Sequence, residues 1–360
     1  MYVAKLDHVR ALAAFLVYAW HMIHWQAAYD AVPAFPPLSL LEEGHAGVAL
    51  FMTLSGYLFA KIIDGRPIDL ARFYQNRALR LAPLLAVVLA YWAFRGKLTP
   101  ETFLTGFVLP TWPNGTWSIA VELQFYLLFP AILALQTRNR IRPLVSIIAM
   151  MMALRTAGYV ATGSIQGFAY WTIGGCLDLF VMGLLWHELA KRNDIRRNAG
   201  QILAAASLTI VAGWHVFNLA GGFYGTTTSP IWIVMTPLEG FLFGAVIVGY
   251  EHARLNLPPL ASRALAKTGE VSYSIYLVHF IVYPTLAKWA AATGADMADA
   301  ATAMLVACIT FPAVVLVAIA SYTLIERPFL ALRTTYRDAP ARPDNCPADP
   351  TATPKAAPVT

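Results

Sequence analysis

The sequence predicts an all-α polytopic membrane protein with about ten transmembrane helices and both termini in the cytoplasm. Of its 360 residues, 58% are hydrophobic and only 13% are charged, about half the charged share of a soluble domain. The apolar residues fall in blocks long enough to cross a bilayer, and short basic or Gly/Pro-containing loops separate these blocks. Basic residues concentrate in alternate loops, as the positive-inside rule requires.

Ten spans follow from this pattern. They cover residues 6–26, 46–63, 79–95, 117–136, 143–161, 173–190, 201–220, 230–250, 273–292 and 301–325. The predicted cytoplasmic loops hold most of the basic residues, namely Lys5, Arg66, Arg72, Arg77, Arg138, Arg140, Arg142, Lys191, Arg192, Arg196, Arg197, Arg254, Arg263, Lys267, Arg327, Arg333 and Arg337. The opposite loops hold Arg95, Lys97, Arg155, Lys288, Glu42, Glu43, Glu101, Asp296 and Asp299. An even number of spans agrees with two cytoplasmic termini.

Two parts are expected in the chain. Residues 1–330 form the membrane domain, and residues 331–360 form a Pro/Ala-rich cytoplasmic tail with almost nothing to bury, which we expect to be disordered. We expect no appended soluble catalytic domain, so any chemistry belongs to the membrane bundle.

The net charge of +6 raises the question of a nucleic-acid partner. Because the basic residues are dispersed among loops, membrane topology explains them better, and we expect no nucleic acid. Of the three cysteines, Cys176 and Cys308 lie in apolar segments and Cys346 lies in the tail. This spacing indicates neither a disulfide framework nor a metal site.

Arg10 and His21 stand out within the first span, LDHVRALAAFLVYAWHMIHW. Eleven residues on an α-helix make three turns plus about 20°, so both side chains leave one face, about 16 Å apart along the axis. Polar side chains inside a bilayer are costly unless they face protein or water, so we expect this face to line an active site. The alternative is an interfacial anchor at Arg10 and a structural histidine at His21.

Glu122 lies five residues past Trp117, which the predicted topology places at the outer interface. His21 lies about as far from the outer end of its own helix, so both groups are expected about 7–8 Å below the outer surface. A carboxylate that orients an imidazole makes a general-base pair, which is the function predicted here. The alternative for Glu122 is a hydrogen bond to a neighbouring Trp or Tyr.

Arg77 and Arg80 are spaced i and i+3, on one helical face where the third span leaves the cytoplasm. Guanidinium groups bind phosphate oxygens bidentately, so this pair is a candidate phosphate clamp. Taken by itself, such a pair is more often a cytoplasmic anchor. The phosphate-clamp interpretation is favoured here because Arg10 is expected at the same cytoplasmic level.

Six elements, in order, resemble the integral membrane acyltransferase family 3, the membrane O-acetyltransferases of the R-x10-H type. They are the Arg10–His21 pair and the segments GVALFMTLSGYLF, FYQNRALRLAP, WSIAVELQFYLLFP, TGEVSYSIYLVHF and SYTLIERPF, which together span residues 6 to 329. The chain departs from the family pattern at Ala49, Leu123 and His8, where Asp, Glu and Gly are common, and the first two leave the acceptor side less predictable.

The resemblance implies transfer of an acyl group, usually acetyl from acetyl-CoA, to a hydroxyl of a carbohydrate or glycolipid. It implies catalytic roles for His21, Glu122 and Arg10 and a place for the CoA phosphates at Arg77 and Arg80. The reaction would modify a polysaccharide of the cell envelope from the inner (plasma) membrane of a bacterial-type cell, with membrane lipids around the bundle.

Four more residues have expected places in this arrangement. Trp117 and Ser118 are candidates to donate hydrogen bonds to the oxyanion, and His24 is a candidate acceptor contact. His279 is expected to be structural or to support the CoA arm on the donor side. The residues leave both direct transfer and an acyl-histidine intermediate open.

Two other classes of function fit intramembrane charges. One is a transporter or flippase for a glycan or lipid-linked sugar, and the other is a structural partner of a polysaccharide synthase. The sequence leaves open the acceptor, the acyl chain length, the oligomeric state (a homo-oligomer included) and the roles of Glu239 and Asp178.

Overall fold

The computed structural model describes residues 3–27, 35–64, 68–136 and 139–334, and this part of the chain is helical with no β-strand. Ten long helices form the bundle: α1 Ala4–Ile23, α2 Gly47–Ile63, α3 Leu70–Phe94, α4 Thr116–Leu135, α5 Ile141–Thr162, α6 Ile173–Leu189, α7 Ala199–Leu219, α8 Met235–His252, α9 Ser272–Ala292 and α10 Ala300–Ser321. Short helices connect them at Pro36–Glu42, Pro100–Thr105, Gln166–Trp171, Asn193–Arg197, Gly222–Gly225, Pro259–Glu270 and Arg327–Leu330.

The predicted fold class, an all-α polytopic membrane protein, is confirmed, and each predicted span corresponds to one long helix. Among the described residues, seven helical segments are long and apolar enough to cross a membrane: Gly44–Ile63, Leu70–Phe94, Thr116–Leu135, Ile141–Thr162, Ala199–Leu219, Ser272–Ala292 and Ala300–Leu330. The other three predicted spans match helices that are short or carry charge. α6 has 17 residues, and α1 and α8 contain charged side chains.

The third helix differs most from its prediction. α3 begins at Leu70, nine residues before the predicted start at 79, and Asp69 caps it by accepting a hydrogen bond from the Arg72 backbone N–H at 3.1 Å. A hydropathy window detects only the apolar part of a helix, so the polar first turns were missed. Arg77 and Arg80 therefore lie inside the helix, not at its first turn.

α1 lies in the middle of the bundle and is buried on nearly every side. One face, which includes Ala13 and Val17, belongs to the larger core cluster with residues of α2. The opposite face, which includes Ala14 and Tyr18, packs with residues of α9 and α10 in a second cluster. The Tyr18 hydroxyl lies 2.6 Å from that of Thr310 on α10. Polar residues of α1 consequently have to find their partners inside the protein.

Helices α2 and α6 pack with their backbones in direct contact at two glycines. A Cβ added at Gly56 would lie 1.9 Å from the Phe180 carbonyl oxygen, and one added at Gly183 would lie 2.1 Å from that of Thr53. Glycines at facing positions therefore allow the two backbones to touch.

Both ends of the described chain lie at one end of the bundle. The Lys5 ammonium donates to the Ala253 carbonyl at 2.6 Å after α8, and Asn76 exchanges two hydrogen bonds with the Thr334 backbone. This placement agrees with an even number of spans. Of the predicted tail, residues 335–360 lie outside the described residues, as do Arg66 and Arg138.

The α2–α6 contact predicts a position-specific effect of adding one methyl group. Gly183→Ala should destabilise the bundle by about 1–3 kcal/mol, because the new Cβ collides with a backbone oxygen that cannot rotate away. Gly213→Ala is the matched control, since a Cβ there meets nothing within 4 Å. Thermal midpoints of the detergent-solubilised protein measure both, and equal midpoints would contradict the described contact.

Candidate active site

The imidazole of His21 is held in one tautomer by its own helix. Its Nδ1 lies 2.7 Å from the Val17 carbonyl oxygen, one turn earlier in α1. A carbonyl oxygen only accepts hydrogen bonds, so Nδ1 carries the proton and Nε2 is left with its lone pair. The ring packs against Trp20, His279 and Phe280, with centroids at 4.7, 5.1 and 4.5 Å. Nε2 is thus the basic atom of this residue.

A second histidine repeats the arrangement from α9. His279 Nδ1 lies 3.0 Å from the Ile275 carbonyl oxygen, again one turn earlier, and its buried Nε2 has no protein partner. The two rings are tilted by 55°. The structure therefore places His279 beside His21, and its ring contacts are with this histidine and with aromatic side chains. The sequence placed His279 on the donor side, and it did not reveal this pairing.

Glu122 does not hold His21. Its carboxylate accepts hydrogen bonds from the Ser55 hydroxyl at 3.1 Å and from the Tyr126 hydroxyl, while Val17 orients His21. The predicted hydrogen-bonded His21–Glu122 pair is therefore wrong. Equal depth along the membrane normal does not determine which helices are lateral neighbours, and this was the missing information.

The structure brings Arg10, Arg77 and Arg80 together. The Arg10 guanidinium donates to the Asp7 carboxylate one turn earlier and interacts electrostatically with Arg80 and Arg77. Repulsion among like charges in a low-dielectric interior makes such a cluster favourable only with compensating anions. This end of α1 is suited to bind an anionic group.

Protein carboxylates supply part of that compensation. Arg80 interacts electrostatically with Glu326 of the segment that follows α10 and with Glu122 of α4. The Arg77 guanidinium lies over the Phe59 ring, 5.0 Å from its centroid. Glu122 consequently lies within the electrostatic reach of the arginine cluster.

The two residues at the start of α4 have different surroundings. The Ser118 hydroxyl lies 2.6 Å from that of Tyr276, and both lie near the Gly115 carbonyl oxygen, at 3.0 and 3.1 Å. The centroid of the Tyr276 ring is 6.0 Å from that of His279, so this ring lies beside the two histidines. Trp117 packs into an aromatic cluster with Tyr170 and Trp171 at 5.3 and 4.6 Å.

His24 forms a further polar group one turn beyond His21. Its Nδ1 lies 2.8 Å from the Trp20 carbonyl oxygen, and its Nε2 lies 3.0 Å from Glu42 Oε1. Burial raises the pKa of the Glu42 carboxyl, and the hydrogen bond with His24 opposes that rise.

Sequence reasoning counted Glu42 and Glu43 among the loop charges opposite the cytoplasm, and it did not reveal that both are buried. Glu42 is only 3% exposed and Glu43 only 2%. Glu43 contacts His45 at 3.1 Å and accepts from the Phe223 backbone N–H at 3.3 Å. The neighbouring histidines were the available signal, because buried carboxylates need such partners.

Asp178 has a structural partner. Arg155, predicted as an outer loop charge, is instead fully buried and donates to Asp178 Oδ2 at 2.5 Å. Its other N–H groups donate to the carbonyl oxygens of Gly175 and Ile233. The guanidinium thereby ties α5 to α6 and to the turn before α8. Glu239 is also buried, and its Oε1 has no protein partner.

The bundle thus carries a basic cluster near one end of α1 and two oriented histidines, His21 of α1 and His279 of α9, further along it. The chain belongs to the acyltransferase family described as "Acyltransferase domain", which it matches over residues 3–323. It is accordingly a multi-pass membrane acyltransferase, and its relatives support O-acyl transfer.

Curated relatives are similar along most of the chain. A protein described as a membrane-bound transacylase, BcsY of Komagataeibacter xylinus, is 26% identical over 89% of this chain and 81% of its own. Nodulation protein 10 of Rhizobium leguminosarum bv. viciae is 26% identical, covering 92% of this chain and 94% of its own. O-acetyltransferase OatA of Staphylococcus aureus is 23% identical over 78% of this chain, which matches 50% of OatA. No solved structure matches the chain.

The Arg155–Asp178 pair predicts a purely structural phenotype. Arg155→Leu should destabilise the bundle by about 3–5 kcal/mol, because it leaves an uncompensated buried carboxylate. Adding Asp178→Leu should restore much of the loss, since no charge then remains unpaired. Thermal midpoints in detergent measure the three proteins. A double variant no more stable than Arg155→Leu would contradict this assignment.

Proposed function

We propose that this protein transfers an acetyl group from cytoplasmic acetyl-CoA to a hydroxyl of a carbohydrate or glycolipid on the outer side of a bacterial inner membrane. The observation that carries the proposal is the pairing of a basic His21 Nε2 with an arginine cluster further down the same helix. Eleven residues separate Arg10 from His21, about 16 Å along α1. That distance is comparable with an extended pantetheine arm.

Arg77, Arg80 and Arg10 would bind the CoA phosphates at the cytoplasmic end. Each guanidinium offers several N–H donors in a plane, which suits bidentate contact with phosphate oxygens. The phosphates would relieve the repulsion among the three cations. Glu122 would assist by holding Arg80 electrostatically, a supporting role distinct from contact with His21.

At the other end, His21 Nε2 would take the proton of the acceptor hydroxyl while that oxygen attacks the thioester carbonyl carbon. The tetrahedral intermediate would then collapse with cleavage of the C–S bond, and the imidazolium would return the proton to the leaving thiolate. In the other route Nε2 attacks the thioester carbonyl carbon first and the CoA thiolate leaves. The acceptor hydroxyl then attacks the acyl-imidazole, its proton passes to the thiolate, and the acyl–N bond breaks to restore His21. Ser118 and Tyr276 are candidate donors to the oxyanion in both routes.

His279 would position the reacting groups beside His21. Its buried Nε2 accepts hydrogen bonds and has no protein partner, so a donor on the bound substrate would satisfy it. The name of OatA, an O-acetyltransferase, supports a hydroxyl acceptor and an acetyl group.

His21→Ala should reduce acetyl transfer by about 100-fold or more, because the base is removed and general-base catalysis contributes about 10²–10⁴-fold. Release of free CoA thiol from acetyl-CoA by purified protein is the measurement. His215→Ala is the matched control, since His215 contacts Ser39 outside the site. Activity of His21→Ala within a few-fold of wild type would remove His21 from the mechanism.

Replacing both Arg77 and Arg80 by Gln should raise the KM for acetyl-CoA by about a hundredfold. Each charge-assisted bond to phosphate contributes about 1.5–3 kcal/mol. A short acetyl thioester without the nucleotide should be much less affected, because it never contacts the arginines. Arg72→Gln on the same helix is the control, as Arg72 pairs with Asp69. An unchanged KM for acetyl-CoA would show that Arg77 and Arg80 do not form the donor site.

A further inference from the structure

A cleft opens beyond His21, at the end of α1 opposite the arginine cluster. Counted together with the open solvent at its mouth, its volume is about 190 Å³. Its lining residues come from the end of α1, the end of the Pro36–Glu42 helix, and the loop and short helix after α7. They are Trp20, His24, Glu42, Glu43, Gly221, Gly222, Phe223 and Tyr224. The catalytic scheme above uses none of these side chains.

Two residues that line the cleft, Trp20 and Tyr224, stack on each other, and the accessible ring is that of Tyr224 because Trp20 is only 9% exposed. The planes of Trp20 and Tyr224 are within 3° of parallel, with centroids 6.0 Å apart, and Tyr224 is 40% exposed. Flat, amphipathic rings of this kind offer an apolar face at little cost in conformational entropy. The C–H face of a sugar ring is complementary to such a surface.

Among the described residues, two buried polar atoms of the cleft lining have no protein partner. Glu42 Oε1 lies 3.0 Å from His24 Nε2, whereas Glu42 Oε2 has no described hydrogen-bond partner. The indole N–H of Trp20 has no acceptor among the described residues either. An unsatisfied buried polar atom costs about 1–3 kcal/mol. A hydroxyl group both donates and accepts, so hydroxyls of one ligand can satisfy both atoms.

The loop that carries Tyr224 is fixed by the carboxylate of Glu43. The backbone N–H of Phe223 and the side-chain amide of Asn218 both donate to it, each at 3.3 Å. Gly222 adopts a φ of +57°, and a Cβ there would lie 2.2 Å from Glu43 Oε1. Glycine is therefore required for this close approach, and the wall of the cleft is preformed.

The composition of the cleft lining bears on the charge of its ligand. Its described lining residues include two carboxyl groups and no lysine or arginine. The imidazole of His24 is already engaged by Glu42. A uronic acid or a sugar phosphate would find no lysine or arginine in the described lining to pair with its negative charge. A neutral sugar has no charge that needs such a partner.

We propose that this cleft binds the sugar ring of the acceptor and selects a neutral carbohydrate over an acidic one. The inference rests on the proposed function, because it interprets the cleft as the acceptor site of the proposed acyl transfer. Trp20 lines the cleft and also packs on His21 at 4.7 Å. Only the Trp20 indole would therefore separate a sugar ring bound in the cleft from the His21 imidazole.

Binding of two probe sugars to the full-length protein in detergent tests the inference without acetyl-CoA. Cellobiose represents a neutral sugar and digalacturonate an acidic one, and isothermal titration measures both. We expect cellobiose to bind at least about tenfold more tightly than digalacturonate, a difference of about 1.4 kcal/mol. Absence of cellobiose binding, or equal binding of the two sugars, would overturn the proposal.

Three variants locate the binding. Tyr224→Ala should weaken cellobiose binding about tenfold because the wall is lost, and Tyr224→Phe, which keeps the ring, should stay within about twofold of wild type. Glu42→Gln should narrow the difference between the two sugars, since it removes a carboxyl. Binding unaffected by Tyr224→Ala and Glu42→Gln would place the sugar elsewhere.

Thiol release separates this inference from the proposed function. If cellobiose binding depends on Tyr224 but no sugar supports thiol release from acetyl-CoA, the proposed reaction is contradicted. The cleft is then retained as a sugar-binding site. If thiol is released but Tyr224→Ala leaves the acceptor KM unchanged, the proposed reaction is retained. The cleft is then rejected as the acceptor site. A selective rise in acceptor KM, with the KM for acetyl-CoA unchanged, is the expected result.

Discussion

Burial of α1 on nearly every side is the constraint on which the candidate site depends. A polar side chain on such a helix has little access to lipid or bulk water, so it needs partners within the protein. His21 and His24 both turn Nδ1 to the carbonyl oxygen one turn earlier, at 2.7 and 2.8 Å. The helix backbone therefore sets the orientation of both rings and directs both Nε2 atoms away from the axis. His279 on α9 follows the same rule.

The same helix sets the distance between the two ends of the site. Because an α-helix rises about 1.5 Å per residue, the separation of Arg10 and His21 in the sequence becomes a fixed length in space. Asp7 holds Arg10 from within α1, and α3 adds Arg77 and Arg80 to the same cluster. A long, thin donor with a charged head and a reactive end fits this rigid spacing better than a compact one does.

Sequence reasoning succeeded where the information is local to one helix. Spacing placed Arg10 and His21 on one face, and apolar blocks located every long helix. Sequence reasoning could not predict which helices lie side by side, because contacts between helices determine their packing and a hydropathy window describes only one helix. For this reason the predicted His21–Glu122 bond was wrong. For the same reason the pairing of His21 with His279 and the burial of Glu42 went unseen.

Some buried polar groups of this bundle are paired within the protein and others are not. The three guanidinium nitrogens of Arg155 donate to Asp178 and to two backbone carbonyls, which stabilises the fold. Within the described part of the chain, the buried atoms without a protein partner include His279 Nε2, Glu42 Oε2 and the Trp20 indole N–H. Each such atom costs about 1–3 kcal/mol, a cost that a substrate hydroxyl would remove on binding. These atoms lie around His21 and along the cleft beside it, so binding energy would be released next to the base.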